Sequence, residues 1–260
     1  MSLRPHINAF TRFAESHLTG NETDDALIRL KIDHSFRVQA NAALIAAKEK
    51  LPSPCARLCE LAALYHDIGR FPQYSEYHTF KDSESANHAR LGVLALRQLI
   101  LPTDVPPDDW RTIRFAVAQH NVMHIRNSLP KKLATPTQVV RDADKLDIFN
   151  VILSHFESEG PLNAVIAGGV ADEPDNYSMS MYDRVYSGKL GIYNNMLYAN
   201  DFKLLLISWI FDFHWASSIQ ILSERKYLDR AFDSLPNDDK IKKLKEKAFN
   251  FMHYNPCLAP

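Results

Sequence analysis

The 260 residues carry 30 basic and 31 acidic side chains, a formal net charge of −1, and 46% hydrophobic residues. The hydrophobic share excludes an extended disordered chain, and the charge balance excludes a polybasic nucleic-acid or membrane-surface binder. Only 8 glycines in the chain favour long helices over a turn-rich sheet.

Taken in chain order, residues 24–49 place Ala26, Leu27, Leu30, Val38, Ala42 and Ile45 at spacings that predict one buried helical face. A second helix is expected over 54–67, with Pro54 in its first turn, Leu58, Leu61, Ala62 and Tyr65 inward, and Gly69 as its stop. Residues 71–83 show no clear period and read as a loop. Ser83 or Ser85 is expected to cap a helix running through Leu91, Leu94 and Leu99 to the break at Pro102. After a proline-containing linker at 104–109, a helix is expected from Trp110 to His124. A loop over 126–135 follows, and Pro136 is expected to open a helix reaching Glu157.

The stretch 160–182, with Gly168-Gly169 and Pro174, reads as irregular, and helical patterning resumes from Met181 to an amphipathic charged end at Asp238–Phe251. Strand-like alternation is nearly absent. The expected fold is all-α, a single domain over 1–260 with a core at about 24–157 and a C-terminal helical extension at about 181–255. Cys55, Cys59 and Cys257 show no disulfide framework and read as reduced thiols. The apolar run Leu204–Phe213 is about half the length that spans a bilayer. No charged, apolar leader is visible, so a soluble, cytoplasmic protein with no membrane partner and no strong nucleic-acid signal is expected.

Against this background one set of residues stands out. His34 shares a helix face with Leu30 and Val38, and His66-Asp67 closes the second helix. His88 falls near a helix start, and His120 continues the face of Ile113, Ala116 and Val117. Asp144 lies four residues from both Val140 and Ile148. A carboxylate on an apolar stripe is costly unless it is paired or bound to a cation. Each residue alone has an ordinary structural explanation, whereas the order His, His-Asp, His, His, Asp on successive helices points to a metal site.

These phrases resemble the HD superfamily of metal-dependent phosphohydrolases. His34-Ser35-Phe36-Arg37-Val38, Ala63-Leu64-Tyr65-His66-Asp67-Ile68-Gly69-Arg70 and Asp142-Ala143-Asp144-Lys145-Leu146-Asp147 are similar to its three signatures. The resemblance implies a helical HD-domain bundle with a C-terminal extension. It makes His34, His66, Asp67 and Asp144 metal ligands, with Asp67 bridging. His88 and His120 stand where binuclear members hold a second ion.

Imidazoles with carboxylates suit Mn, Fe, Co, Ni or Zn better than calcium, with Mg also kept, as one or two divalent ions. The expected activity is hydrolysis of a phosphate ester or anhydride of a small molecule, a nucleotide being the first substrate considered. Asp67, Arg70 and Lys145 are the expected catalytic residues, the cations neutralising phosphate charge alongside Arg37. Asp147, one turn after Asp144, is an expected orienter or cap partner. A diiron oxygenase and a non-catalytic signalling domain are the competing readings. His120-Asn121-Val122-Met123-His124 lacks the continuation expected of cyclic-dinucleotide hydrolases, and the oligomeric state is not readable.

Overall fold

Helices account for the regular structure of residues 2–126, 128–158 and 170–254, the parts described by this computed structural model. Among them no strand forms, only an isolated bridge between Ala171 and Tyr198. The all-α expectation holds. Cys257 and Gly168-Gly169 lie outside the described residues. No helix among the described residues is long and apolar enough to cross a membrane. The chain divides into two compact units, Met1–Asp147 and Ile148–Pro260.

The first unit contains α1 (Arg4–Glu15), α2 (Glu22–Lys48), α3 (Ser53–Tyr65), α4 (Arg70–Tyr77), α5 (His88–Gln98) and α6 (Pro107–Gln119). It also takes the greater part of α7 (Lys131–Glu157). The Asn21 side chain caps α2 by accepting from the amides of Thr23 and Asp24. The buried stripe of α2 then runs through Ile28, His34, Val38, Ala42 and Ile45. Its first apolar member is Ile28, not Ala26, Leu27 or Leu30, with buried Asp25 one turn before it. Asn41 on the same stripe donates to the carbonyl of Ala143 at 3.1 Å, which ties α2 to α7 one residue before Asp144.

Further sequence expectations are corrected here. Gly69 does not stop α3, which already ends at Tyr65. Gly69 has φ −72° and leads into α4, so it makes no left-handed cap. What Gly69 supplies is room: a Cβ there would lie 2.0 Å from the carbonyl oxygen of His88 and 2.3 Å from the amide nitrogen of Gly92. The turn carrying His66-Asp67 thereby packs against the start of α5.

Second, the expected loop at 71–83 contains α4. Phe71, Gln73 and Tyr74 are buried on it, and the polar Gln73 breaks the apolar period that would have revealed a helix. Third, α5 is capped by Asn87, which accepts from the amide of Arg90 at 3.0 Å, and not by Ser83 or Ser85. Its buried face is Ala89, Gly92, Ala95 and Leu96, while Leu94 is exposed. Small residues face inward because α5 approaches its neighbours closely. Fourth, Pro136 lies inside α7. The carbonyl of Pro130 accepts from Leu133 and Ala134 at 2.8 and 2.9 Å, so the helix begins earlier, and Pro136 forgoes one backbone bond. α6 is also displaced from its expected limits, ending at Gln119 with His120 as its C-cap.

The second unit holds α8 (Met179–Tyr186), α9 (Ala199–Ser208), α10 (Ala216–Glu224), α11 (Tyr227–Asp233) and α12 (Asp239–Tyr254), together with the end of α7. Buried Asp201 orders the entry to α9 by accepting from the amide and hydroxyl of Ser178, both at 2.6 Å. It also accepts from the amides of Leu197 and Tyr198 at 2.9 and 3.2 Å. Stacked Phe149 and Tyr227, 6.0 Å between centroids, pack within the same unit.

Candidate metal centre

Each of the four converging histidines, His34, His66, His88 and His120, has its Nδ1 beside an acceptor. In His34 it lies 2.6 Å from Oδ2 of Asp147, and in His88 2.8 Å from both oxygens of Asp82. In His66 and His120 it lies 2.7 Å from the carbonyls of Ala63 and Val117, each one turn back on its own helix. Carbonyls and ionised carboxylates only accept, so every Nδ1 carries the proton and donates. Each Nε2 is thereby turned towards the site, as in metal-binding histidines oriented by an outer carboxylate or carbonyl.

The Nε2 atoms converge in two pairs. His34 and His66 bring theirs within 3.2 Å of each other, and His88 and His120 within 3.0 Å. Protons on both members of either pair would oppose N–H to N–H. Asp67 lies between the pairs. Its Oδ2 is 3.6 Å from Nε2 of His34 and 3.9 Å from that of His66. Its Oδ1 is 3.4 Å from Nε2 of His88 and 3.6 Å from that of His120. Asp144 adds Oδ1 at 3.1 Å from Nε2 of His34 and 3.6 Å from that of His66. That oxygen is buried and accepts no hydrogen bond.

Donor atoms bound to one ion at about 2.1 Å stand about 3.0 to 3.4 Å apart. The separations of 3.0, 3.1, 3.2 and 3.4 Å match that range, and those of 3.6 and 3.9 Å exceed it by a few tenths of an ångström. His34, His66 and Asp144 form one group able to hold an ion, and His66, Asp67 and His120 form another. The buried, unbonded Asp144 oxygen and the facing Nε2 pairs are what a cation would resolve. The donor set therefore fits divalent metal.

The electrostatics agree. Burial would raise the Asp67 carboxyl, but Lys31, His66 and the Arg70 guanidinium outweigh it and hold the group well below the usual carboxylate range. Burial would lower the His34 imidazole, yet the adjacent carboxylates of Asp144 and Asp147 outweigh it and raise its pKa. In His88, burial and then the Arg70 charge prevail, pushing it down to about 4. Burial likewise opposes ionisation of Asp82, but the bond to His88 overrides it and the carboxyl falls to about 2.

The structure thus gathers all six expected ligands. Arg70 reaches the site, with Nε 3.4 Å from Oδ1 of Asp67, but Nη1 is held by Gln73, the Phe80 carbonyl and Asp82 at 2.9, 2.5 and 3.2 Å. Arg37 is occupied elsewhere: Nε and Nη2 donate to Oδ1 and Oδ2 of Asp147 at 2.7 and 3.1 Å. Lys145 is buried on α7 next to Asp144 in the chain. Tyr74 is packed, its hydroxyl donating to Asp24 at 2.7 Å.

Four residues went unread in the sequence. Lys31 places Nζ 3.0 Å from Oδ2 of Asp67, and its position one turn before His34 was the available signal. Asp82 sits in an aperiodic loop with no signal of its own. Buried Gln73 donates to it at 2.9 Å, so a chain of contacts runs from α4 through Asp82 to His88. Nη1 of Arg141 gathers carbonyls at the end of α6, including that of His120 at 3.1 Å, and so holds the turn where His120 sits.

The model of the HD domain family matches residues 32–163, more than half of the chain, and that span includes all six converging residues. No curated protein and no solved structure matched. The chain belongs to the HD domain family.

Proposed function

We propose that the chain is a metal-dependent phosphohydrolase, acting on a phosphate ester or anhydride of a nucleotide or related phosphorylated small molecule. His34, His66, Asp144 and Asp67 would hold one ion, and His88, His120 and Asp67 would hold a second. The observation that carries this reading is the convergence of four oriented Nε2 atoms on the two oxygens of one buried carboxylate. Bound divalent ions acidify water towards neutrality and draw charge from phosphoryl oxygens.

The remaining roles fall to the chain itself. Asp147 and Asp82 fix the tautomers of His34 and His88. Lys31 and Arg70 flank Asp67 with positive charge, which favours an anionic substrate over a neutral one. Lys145 is retained as a further cation beside Asp144.

The test is a panel of phosphomonoesters, nucleotides and cyclic dinucleotides, assayed with metal-stripped protein reloaded with Mn, Co, Ni, Zn, Fe or Mg. Metal-dependent phosphate release from at least one class is expected. Oxygen consumption by the iron form without any hydrolysis would replace the reading with an oxygenase. Failure to bind metal at all would leave a non-catalytic domain.

A further inference from the structure

Five cationic side chains belong to residues at or near the ligands: Lys31, Arg37, Arg70, Lys145 and Arg141, the last held by carbonyls at the end of α6. They differ in how firmly they are held. Arg37 spends both donors on Asp147, at 2.7 and 3.1 Å. Arg70 is fixed by Gln73, the Phe80 carbonyl and Asp82, besides facing Asp67. Lys145 is 9% exposed. Lys31 is held by a single polar contact, 3.0 Å to Oδ2 of Asp67, and its side chain remains 17% exposed. An ammonium has three donors on a flexible stem, so two of them are uncommitted.

That one contact is made to a proposed ligand oxygen. A divalent ion on Oδ2 and an ammonium at 3.0 Å from the same oxygen repel each other, and the mobile partner is the lysine. A second resting place is already present. The Lys31 ammonium lies 5.4 Å from the centroid of the Phe80 ring, whose face attracts cations. Phe80 is itself kept in place by the Tyr74 ring at 4.9 Å and by the Arg70 bond to its carbonyl at 2.5 Å.

We infer that Lys31 is the anion-binding side chain of this site, neutralising Asp67 in the ion-free protein and turning to the phosphoryl oxygens of substrate in the metal-loaded one. The inference rests on the phosphohydrolase reading and adds to it the residue that meets the phosphate. It also moves that role from Arg70, whose guanidinium serves to link Asp67 to Asp82.

The test titrates the whole protein with Mn2+, then titrates the Mn2+-saturated form with inorganic phosphate, by calorimetry. Lys31→Met keeps the aliphatic stem without the charge, and Lys31→Arg keeps the charge. Lys31→Met is expected to bind Mn2+ about threefold more tightly or better, because a competing cation is gone. It is expected to bind phosphate about tenfold more weakly or worse, the loss of one charge-assisted hydrogen bond. Lys31→Arg should recover most of the phosphate affinity. Lys31→Gln replaces Lys31→Met if circular dichroism shows the latter unfolded.

Phosphate binding by Mn2+-saturated Lys31→Met at the wild-type level overturns the assignment and leaves the phosphohydrolase reading intact. Weaker Mn2+ binding in Lys31→Met also overturns it, since Lys31 would then be a support for Asp67. If the Mn2+-saturated wild type binds no phosphate, the phosphohydrolase reading falls and the role of Lys31 falls with it.

Discussion

The two halves of the centre are built from the same ring atoms but differ in charge. The His34–His66 half contains Asp144, which adds a carboxylate directly among the converging donors, Asp147 behind His34 and shared with Arg37, and the Asp67 oxygen that Lys31 contacts. The His88–His120 half has the other oxygen of Asp67, and its supporting carboxylate, Asp82, is shared with Arg70. The imidazoles register the difference: surrounding carboxylates raise His34, whereas burial and Arg70 push His88 down to about 4. A richer anionic field binds a divalent ion more firmly. On the proposed two-ion reading the first half is therefore expected to be the tighter site and the second the more easily emptied one, with Asp67 as the element they share.

The change with the largest expected effect removes that shared element. Asp67→Ala should abolish both metal content and turnover while leaving far-ultraviolet circular dichroism near wild type. Metal content at the wild-type level would break the comparison at its centre. Next is Gly69→Ala, whose methyl group would meet backbone atoms of α5 at 2.0 and 2.3 Å. Overpacking of this kind costs about 1–3 kcal/mol, read as a lower denaturation midpoint, and α5 carries His88. The second half should lose metal affinity before the first.

Smaller and more selective effects come from the orienting carboxylates. Asp147→Asn should weaken the first ion, and Asp82→Asn the second, each by about 10- to 100-fold in metal titrations. Equal weakening of both ions by either change would mean that the halves are not separately supported. The smallest effect is expected from Arg37→Met, which leaves the bond between Asp147 and His34 in place. Less than about a tenfold loss at the first ion is predicted for removing such an outer partner.

The same contrast explains what the sequence revealed. The all-α architecture and the convergence of His34, His120 and Asp144 were legible because these polar groups stand among apolar residues on inward helical faces. His66-Asp67 was legible as a phrase, although its geometry was misjudged, since Gly69 acts through close packing and not by ending a helix. The supports of the first half were partly visible, because Asp147 lies one turn from Asp144 on a single helix. The supports of the second half were not. Asp82 belongs to an aperiodic loop, Gln73 hid α4 by being buried and polar, and Arg141 acts across the fold on the end of α6. The small-residue face of α5 misled for a related reason, as Leu94 looks like core but a close helix approach needs Ala89, Gly92 and Ala95 instead. Lys31, three residues before His34, could have been found by helical spacing alone.

The central claim, two ions sharing Asp67, is tested most directly by counting metal in the saturated wild type beside the His88→Ala/His120→Ala double variant. Mass spectrometry of the equilibrated proteins should give about two ions per chain for the wild type and about one for the double variant, with weak activity retained at His34, His66, Asp67 and Asp144. About one ion in the saturated wild type, or about two in both proteins, would contradict the account.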